Sequence, residues 1–443
     1  MTRPRLDDLD RRILGLALPA LGGLAAEPAY ILVDTAIVGR LGTVPLGGLA
    51  LAATVLTTLL WVFNFLSFGT TSRVGHFVGA GDQQSAARVG VQAVWLCLAI
   101  GVPLAVVVAA AGRPLAAALG GTGAVLDAAV TYLRISAIGI PSVLLVIAGH
   151  GIFRGYSDTR TPFVIVAASN VANVILEVVF VYVLDMGIGG SAWGTVLAQT
   201  GAAIALVGPV LRRATRAEVT LRPAAAEMLP LVAIGRHLFI RTGALLAALA
   251  LATSAAARVD ASTLAAHQIT HQLFIFLAYF VDALAVAAQA MVATAIGAAS
   301  LGTIRATTAR LLRHGVLLGA LLTVLLLAVS PVLPRVFTGD GAVAGRASTA
   351  IAVLALMQVP AAIAFVLDGV LMGASDFAFV KWTTVAGLVS FIPFAAAVIA
   401  WPGTGIALLW AGLFVWISAR GAVAARRYAN GQWLPAAAIR GGV

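Results

Sequence analysis

The sequence predicts an all-α integral membrane protein with twelve membrane-spanning helices, arranged as two six-helix bundles related by a parallel internal repeat. Three observations support this fold class. The 443-residue chain is 61% hydrophobic and 10% charged, with a mean hydropathy of +1.03, whereas soluble proteins have about 25% charged residues. Apolar runs of about 20 residues, long enough to cross a bilayer, recur along the chain. The second half also repeats residues of the first half at a nearly constant offset.

Twelve apolar runs are predicted to span the membrane. They cover residues 13–38, 46–70, 90–111, 125–150, 161–184, 189–211, 229–255, 263–291, 311–333, 347–373, 379–400 and 404–425. The single cysteine, Cys97, excludes an intramolecular disulfide framework and a cysteine metal cluster. No cleavable signal peptide is expected, because the first run is too long and acidic residues precede it.

Lysine and arginine residues concentrate in alternate loops. With the N-terminus inside, 21 of the 28 fall in segments assigned to the inside and 5 fall in outer loops. The positive-inside rule then predicts a multi-pass protein of the cell inner (plasma) membrane with both termini cytoplasmic. The net charge of +11 is therefore interpreted as a topology signal, and no nucleic-acid partner is expected.

An offset of 218 residues relates the two halves, pairing Arg40 with Arg258 and Gly151 with Gly369. Two sets of six helices that both start inside form a parallel repeat about an axis along the membrane normal. Such halves can rock against each other around a central site. The predicted domains are an N-lobe with helices 1–6 at 1–211, a cytoplasmic linker at 212–228, and a C-lobe with helices 7–12 and a cytoplasmic tail at 229–443.

The carboxylate inside the first apolar run, Asp34, is the strongest functional signal, since an ionisable group at that depth costs at least about 2.5 kcal/mol. Asp34, Glu177 and Thr195 lie about 9–12 Å below the outer ends of their predicted helices. Asn173 lies one turn deeper than Glu177, on the same face. We therefore predict that these four residues form one ion-coupling site in the N-lobe. The repeat partners of the three residues other than Thr195 are Ala252, Phe391 and Ala395.

The chemistry of this site leaves two ions open. Two buried carboxyl groups close together bind a proton more readily than exposed ones. The same oxygen atoms could instead hold a sodium ion, since hard cations prefer oxygen ligands. In a simpler alternative, Glu177 only makes a hydrogen bond between helices.

A second polar set is predicted to form a substrate path or gate. It consists of Glu27, Trp61, Asn64, His150, Asp282 and Asp368. The last two lie in the inner half of spans eight and ten, and we expect Arg241 to pair with one of them. Trp61 shares a helical face with Phe65 and Phe68. This face would suit flat or cationic organic compounds if it lined a cavity, and it would be ordinary if it faced lipid.

Four segments resemble the multidrug and toxic compound extrusion (MATE) family, and within it the DinF-like branch. They are LVDTAIVGRLG at 32–42, AAHQI at 265–269, YFVDAL at 279–284 and DGVLMGASD at 368–376. The resemblance runs through nearly the whole chain and implies two six-helix bundles that export organic compounds in exchange for protons or sodium. It also implies a coupling role for Asp34, Asn173, Glu177 and Thr195. The chain departs from the family at Glu177, where an aspartate is often found, and in span seven, which lacks a coupling carboxylate.

The resulting expectation is a secondary active efflux transporter that exports organic, cationic or amphipathic compounds by antiport, with alternating access between two lobes. The expected partners are small organic substrates, protons or sodium, and the lipid bilayer, and the chain is expected to be a monomer. No phosphate loop is present, because no Gly-Lys-Ser/Thr follows Gly155. We expect no enzymatic activity, no catalytic residue, no cofactor and no metal site. The alternatives are a flippase for a lipid-linked precursor and a non-transporting sensor or channel.

Overall fold

The computed structural model describes residues 6–434, and this part of the chain contains helices and loops but no strand. The fourteen α-helices of the described chain are α1 (Leu6–Gly39), α2 (Thr43–Trp61), α3 (Phe65–Gly79), α4 (Gln83–Ala118), α5 (Gly123–Gly155), α6 (Arg160–Val178), α7 (Gly187–Arg216), α8 (Ala225–Val259), α9 (Ala261–Gly297), α10 (Leu301–Val329), α11 (Pro334–Phe337), α12 (Gly341–Gly373), α13 (Phe377–Ala400) and α14 (Gly405–Ala429).

Twelve helical segments are long and apolar enough to cross a membrane, which confirms the predicted fold class. One of them joins α2 and α3 through a 3₁₀ turn at Val62–Asn64. The helices are longer than the apolar runs, and α9 has 37 residues. Hydropathy ends at the membrane surface, whereas backbone hydrogen bonding continues for another turn or two.

The chain folds into two compact units. The N-terminal unit is Leu18–Gly235, and the C-terminal unit combines the chain up to Ala17 with the chain from Arg236 onward. The inner end of α1 therefore packs within the C-terminal unit. Ile13 is fully buried there, and the Asp10 carboxylate accepts hydrogen bonds from Arg310 and pairs with His314. The division into lobes predicted at 211 and 229 stays a prediction.

The internal repeat appears as the same helix contact in each unit. A Cβ atom added at Gly151 of α5 would lie 2.3 Å from the Ser67 carbonyl oxygen of α3. One added at Gly369 of α12 would lie 2.3 Å from the Ala285 carbonyl oxygen of α9. Both pairs are related by the 218-residue offset, since 67 and 285 differ by the same number as 151 and 369. Only glycine permits backbones to approach this closely, so the repeated glycines set helix spacing.

The segment after α7 is held against the N-terminal unit. Trp95 on α4 donates from its indole nitrogen to the Leu221 carbonyl at 2.8 Å. Gln92, one turn earlier, donates to the Arg222 carbonyl and accepts from the Ala224 backbone. These bonds satisfy backbone groups that would otherwise compete for water. The loop that joins α7 to α8 is therefore a docked strap.

Two aspartates in loops cap the helices that follow them. Asp82 accepts from the Ser85 backbone N–H at 2.8 Å, and Asp260 accepts from the Thr263 backbone N–H at 2.7 Å. The bonds from Ser85 hold the pKa of the Asp82 carboxyl below its usual value. The Thr263 bond, aided by Arg346, does the same for the pKa of Asp260. Both carboxylates thus satisfy orphan donors at helix N-termini.

Candidate functional site

The four residues predicted for ion coupling come together inside the N-terminal unit. Asp34 comes from α1, Asn173 and Glu177 from α6, and Thr195 from α7. All four are buried, and Glu177 has no exposed surface. Their proximity within one unit is as the depth argument predicted, while their role in coupling stays a prediction.

A serine hydroxyl joins the two carboxyl groups. Ser191 Oγ lies 2.7 Å from Asp34 Oδ1 and 3.3 Å from Glu177 Oε1. These two distances place the carboxylate oxygens no more than 6.0 Å apart. Because a hydroxyl carries one hydrogen, Ser191 donates to one carboxyl group at a time. The arrangement therefore distinguishes a carboxyl group that is held by a donor from one that is not.

Thr195 joins the remaining polar groups of the site. Its hydroxyl donates to Glu177 Oε1 at 3.5 Å and accepts from Asn173 Nδ2 at 3.3 Å. The Tyr30 hydroxyl lies 2.8 Å from the same oxygen. The buried phenol of Tyr132 on α5 lies against the hydroxyls of Thr195 and Ser191. Four helices thus contribute to one hydrogen-bonded cluster.

The sequence analysis missed three of these residues: Tyr30, Tyr132 and Ser191. Helical spacing could have found two of them, because Tyr30 precedes Asp34 by four residues and Ser191 precedes Thr195 by four. Residues four apart share a helix face. No sequence signal identifies Tyr132, since α5 is apolar nearly all round.

Two acceptor atoms of the cluster have no hydrogen-bond partner, Glu177 Oε2 and Asn173 Oδ1. A buried polar atom without a partner costs about 1–3 kcal/mol. A proton on one of the carboxyl groups, or a cation between the oxygens, would supply the missing interaction. The donor set therefore fits a proton or a hard cation. Within the described residues, no three His, Cys, Asp or Glu side chains converge as a metal site.

The backbone around Glu177 is irregular and tightly packed. A π-helical turn, Val179–Val183, follows α6 directly, and such turns are frequent at functional sites. Its Tyr182 hydroxyl donates to the Ile37 carbonyl of α1 at 2.8 Å. A Cβ atom added at Gly194 would lie 3.0 Å from Glu177 Cγ, and one at Gly190 would lie 2.8 Å from the Phe180 carbonyl carbon. Two glycines four residues apart let α7 approach α6 closely.

The equivalent positions of the C-terminal unit are apolar. Ala252, Phe391 and Ala395 are at most 1% exposed and belong to its hydrophobic core. The repeat therefore carries an ionisable cluster in one unit and packed side chains in the other.

The C-terminal unit has a separate buried ion cluster around Asp368 of α12. Its Oδ2 atom accepts from Arg420 at 3.0 Å and from Arg241 at 3.2 Å. Thr383 donates to its Oδ1 atom at 3.4 Å. The expected pairing of Arg241 with Asp368 is confirmed. Asp368 is 2% exposed, so two guanidinium groups neutralise a carboxylate away from water.

Arg420 requires a correction to the charge count. The sequence analysis assigned it to the inner tail, but it is 2% exposed inside α14. Its guanidinium lies 5.0 Å from the Trp416 ring centre and 5.6 Å from that of Phe365. Removing this buried residue leaves 20 inner and 5 outer basic residues, so the predicted asymmetry remains.

The other residues of the predicted substrate path lie apart from these clusters. Trp61 is exposed, and the amide of Asn64 donates to its carbonyl at 3.2 Å. The 3₁₀ turn interrupts the aromatic face, and the ring of Phe65 packs against Gly235 of α8. His150 on α5 and Asp282 on α9 are half-buried. The side chain of Glu27 lies outside the described residues.

Comparison with known proteins gives concordant results. The sequence profile of the MatE family matches residues 19–179 and 244–397. Protein DETOXIFICATION 44, chloroplastic, from Arabidopsis thaliana is 31% identical, over 94% of this chain and 82% of the relative. DNA damage-inducible protein F from Escherichia coli K12 is 27% identical, over 97% and 95%.

Solved structures agree on the fold. A crystal structure of the Vibrio cholerae MATE transporter VcmN superposes with a TM-score of 0.88 at 19% identity, covering 98% of this chain and 99% of that chain. The family profile covers well over half of the sequence, and the matched regions hold Asp34, Asn173 and Glu177. The chain therefore belongs to the MatE family and is a multidrug efflux transporter with twelve membrane-spanning helices.

Proposed function

We propose that this transporter exports organic compounds, cationic or amphipathic in character, in exchange for protons bound at Asp34 and Glu177. The two six-helix lobes would alternate access to the two sides of the inner membrane. Exchange with an ion gradient provides the driving force, and the N-terminal polar cluster provides the place where the ion binds.

The observation that carries this proposal is the Ser191 bridge between two buried carboxyl groups. Two negative charges at most 6.0 Å apart repel each other strongly where water is excluded. Binding one proton removes the repulsion and adds a hydrogen-bond donor to a cluster that has unpartnered acceptors. Protonation therefore changes both the net charge of the cluster and its hydrogen bonds. Such a change at the contact between α1, α6 and α7 can bias a conformational equilibrium.

Sodium is the alternative ion at the same place. The cluster offers carboxylate, amide and hydroxyl oxygens, which are ligands that hard cations accept. The two ions differ in one measurable respect, because only proton coupling gives transport driven by a pH gradient without sodium.

The test is efflux of a fluorescent organic cation from proteoliposomes with an imposed proton or sodium gradient. We expect a proton gradient alone to drive transport, and Glu177→Gln to weaken its pH dependence by removing one of the two charges. Transport that requires sodium and ignores the proton gradient would replace the proton with sodium.

The flippase alternative predicts a different result in the same vesicles. A flippase for a lipid-linked precursor needs cationic groups for pyrophosphate, and the Arg241 and Arg420 side chains within the spans bind Asp368. Movement of a labelled lipid diphosphate between leaflets, without export of the organic cation, would favour that function.

A further inference from the structure

A groove on the C-terminal unit lies apart from both polar clusters. It has a volume of about 450 Å³ and lies between α10, α12 and α14. Its apolar wall consists of Leu312, Val316, Leu317, Ile363, Leu367 and Ala425. Leu317 is 57% exposed and Val316 is 37% exposed. On a membrane-spanning helix, such exposed aliphatic side chains face lipid rather than water.

One cation and one phenol complete the lining, Arg313 and Tyr428. No acidic residue of the described chain forms a salt bridge with Arg313. A guanidinium beside an apolar wall, without a counter-charge from the protein, is complementary to an anion that carries an apolar chain. An anionic phospholipid has this chemistry.

The depth of the groove matches a lipid headgroup at one end. Tyr428 is the penultimate residue of α14, and its ring stacks on Trp433 at 5.2 Å between ring centres. Paired aromatic residues at a helix end mark the membrane–water interface. From Arg313 and Tyr428 the apolar wall extends along α10 and α12 toward the hydrocarbon region. In the orientation predicted from the arginine distribution, the headgroup end lies in the cytoplasmic leaflet.

We propose that this groove binds one anionic phospholipid of the cytoplasmic leaflet, with an acyl chain along Leu317 and Ile363 and the phosphate at Arg313. The site is linked to the ion cluster of the same unit through α12, because Leu367 lines the groove and the next residue is Asp368. A bound lipid would therefore hold α10, α12 and α14 together beside that cluster.

Native mass spectrometry of the full chain can test the site, with phosphatidylglycerol and phosphatidylcholine as probes. We expect wild type to retain one phosphatidylglycerol with about fivefold preference over phosphatidylcholine, the contribution of one basic residue at a membrane surface. Arg313→Gln should reduce this ratio to about one. Leu317→Trp should displace the retained lipid of both kinds by filling the groove.

Two matched variants serve as controls. Arg305→Gln removes an exposed arginine of the same helix outside the groove, and Leu321→Trp changes a leucine that is 56% exposed one turn away. Both should behave as wild type, and all four variants should unfold at the wild-type temperature in lipid-free detergent. An unchanged lipid ratio in Arg313→Gln, or wild-type retention in Leu317→Trp, would overturn the proposal.

Discussion

At the scale of single residues, Asp34 and Glu177 are carboxyl groups of one site with different surroundings. Asp34 is 6% exposed and has a short bond from Ser191, whereas Glu177 is fully buried and keeps one oxygen without a partner. The longer glutamate side chain brings this second carboxyl group to the same serine. The pair can thus hold one proton in more than one arrangement, which is what an exchange site requires.

Replacing Asp34 tests coupling directly. Asp34→Asn removes the charge that must change while nearly preserving the shape of the side chain. We expect the variant to bind substrate but not to export it against a gradient, and its residual transport to lose the pH dependence of wild type. Efflux from proteoliposomes, measured pH by pH, provides the readout. The control is Asp185→Asn, an exposed aspartate whose left-handed backbone asparagine tolerates. Wild-type export by Asp34→Asn would refute the coupling role.

The bridging hydroxyl has its own predicted effect. Ser191→Ala removes a hydrogen bond to a charged group, a loss of about 1.5 kcal/mol or more. We expect gradient-driven export to slow by about tenfold and its pH profile to shift, because neither carboxyl group then has this donor. Ser136→Ala is the matched control, since Ser136 is a buried serine whose hydroxyl has no hydrogen-bond partner. Identical pH profiles for Ser191→Ala and wild type would contradict a bridging role.

Asp368 is predicted to act in stability and gating rather than in proton binding. Asp368→Asn leaves two guanidinium groups without their shared carboxylate, which should lower the free energy of unfolding by about 3–5 kcal/mol. Export should fall, while proton binding at the N-terminal cluster remains. Asp127→Asn breaks an exposed pair with Arg113 and should cost at most about 1 kcal/mol. Unfolding in detergent compares the two, and lost proton binding in Asp368→Asn would move the coupling site to the C-terminal unit.

At the scale of helices, the predicted spans and the irregular segments differ in what a sequence can reveal. Hydropathy located all twelve spans because burial in lipid is a property of a local run of residues. The 3₁₀ turn after Trp61 and the π turn after Glu177 have no such signature. Both depend on how neighbouring helices pack, and the close approach of α7 at Gly190 and Gly194 is part of that packing.

The close approach of α7 to α6 gives a prediction about positioning. Gly194→Ala would place a Cβ atom 3.0 Å from Glu177 Cγ and 3.1 Å from its backbone nitrogen. The strain, about 1–3 kcal/mol, should displace the carboxyl group. We expect lower export and an altered pH profile with the helices intact. Gly201→Ala on the same helix has open space around it and should leave transport unchanged. Equal transport by the two variants would show that Glu177 does not need this packing.

At the scale of the whole molecule, the repeat explains why the site lies in one unit only. Both units keep the glycine contacts at Gly151 and Gly369, which set helix spacing. Spacing is shared because both units must pack six helices, whereas side chains within that frame can diverge. The sequence therefore revealed the depth of Asp34 and the asymmetry of the two halves. It could not reveal the pairing of Asp10 with Arg310, because residues 300 positions apart leave no periodic pattern.

The orientation of the whole chain rests on the arginine distribution, with 20 basic residues on the inner side and 5 on the outer side once buried Arg420 is set aside. Single cysteines can test it in a Cys97→Ala background, since Cys97 is the one native thiol. Five exposed residues at helix starts or in loops serve as reporters: Thr43, Thr122 and Thr404 for the outside, and Gln83 and Thr215 for the inside.

A membrane-impermeant maleimide added to intact cells should label cysteines at Thr43, Thr122 and Thr404. It should label those at Gln83 and Thr215 only after the cells are opened, because the basic loops that flank them are retained in the cytoplasm. Labelling at Thr215 from outside would reverse the topology. It would also move the headgroup end of the C-terminal groove to the outer leaflet, so that Arg313 and Tyr428 would face a different lipid composition.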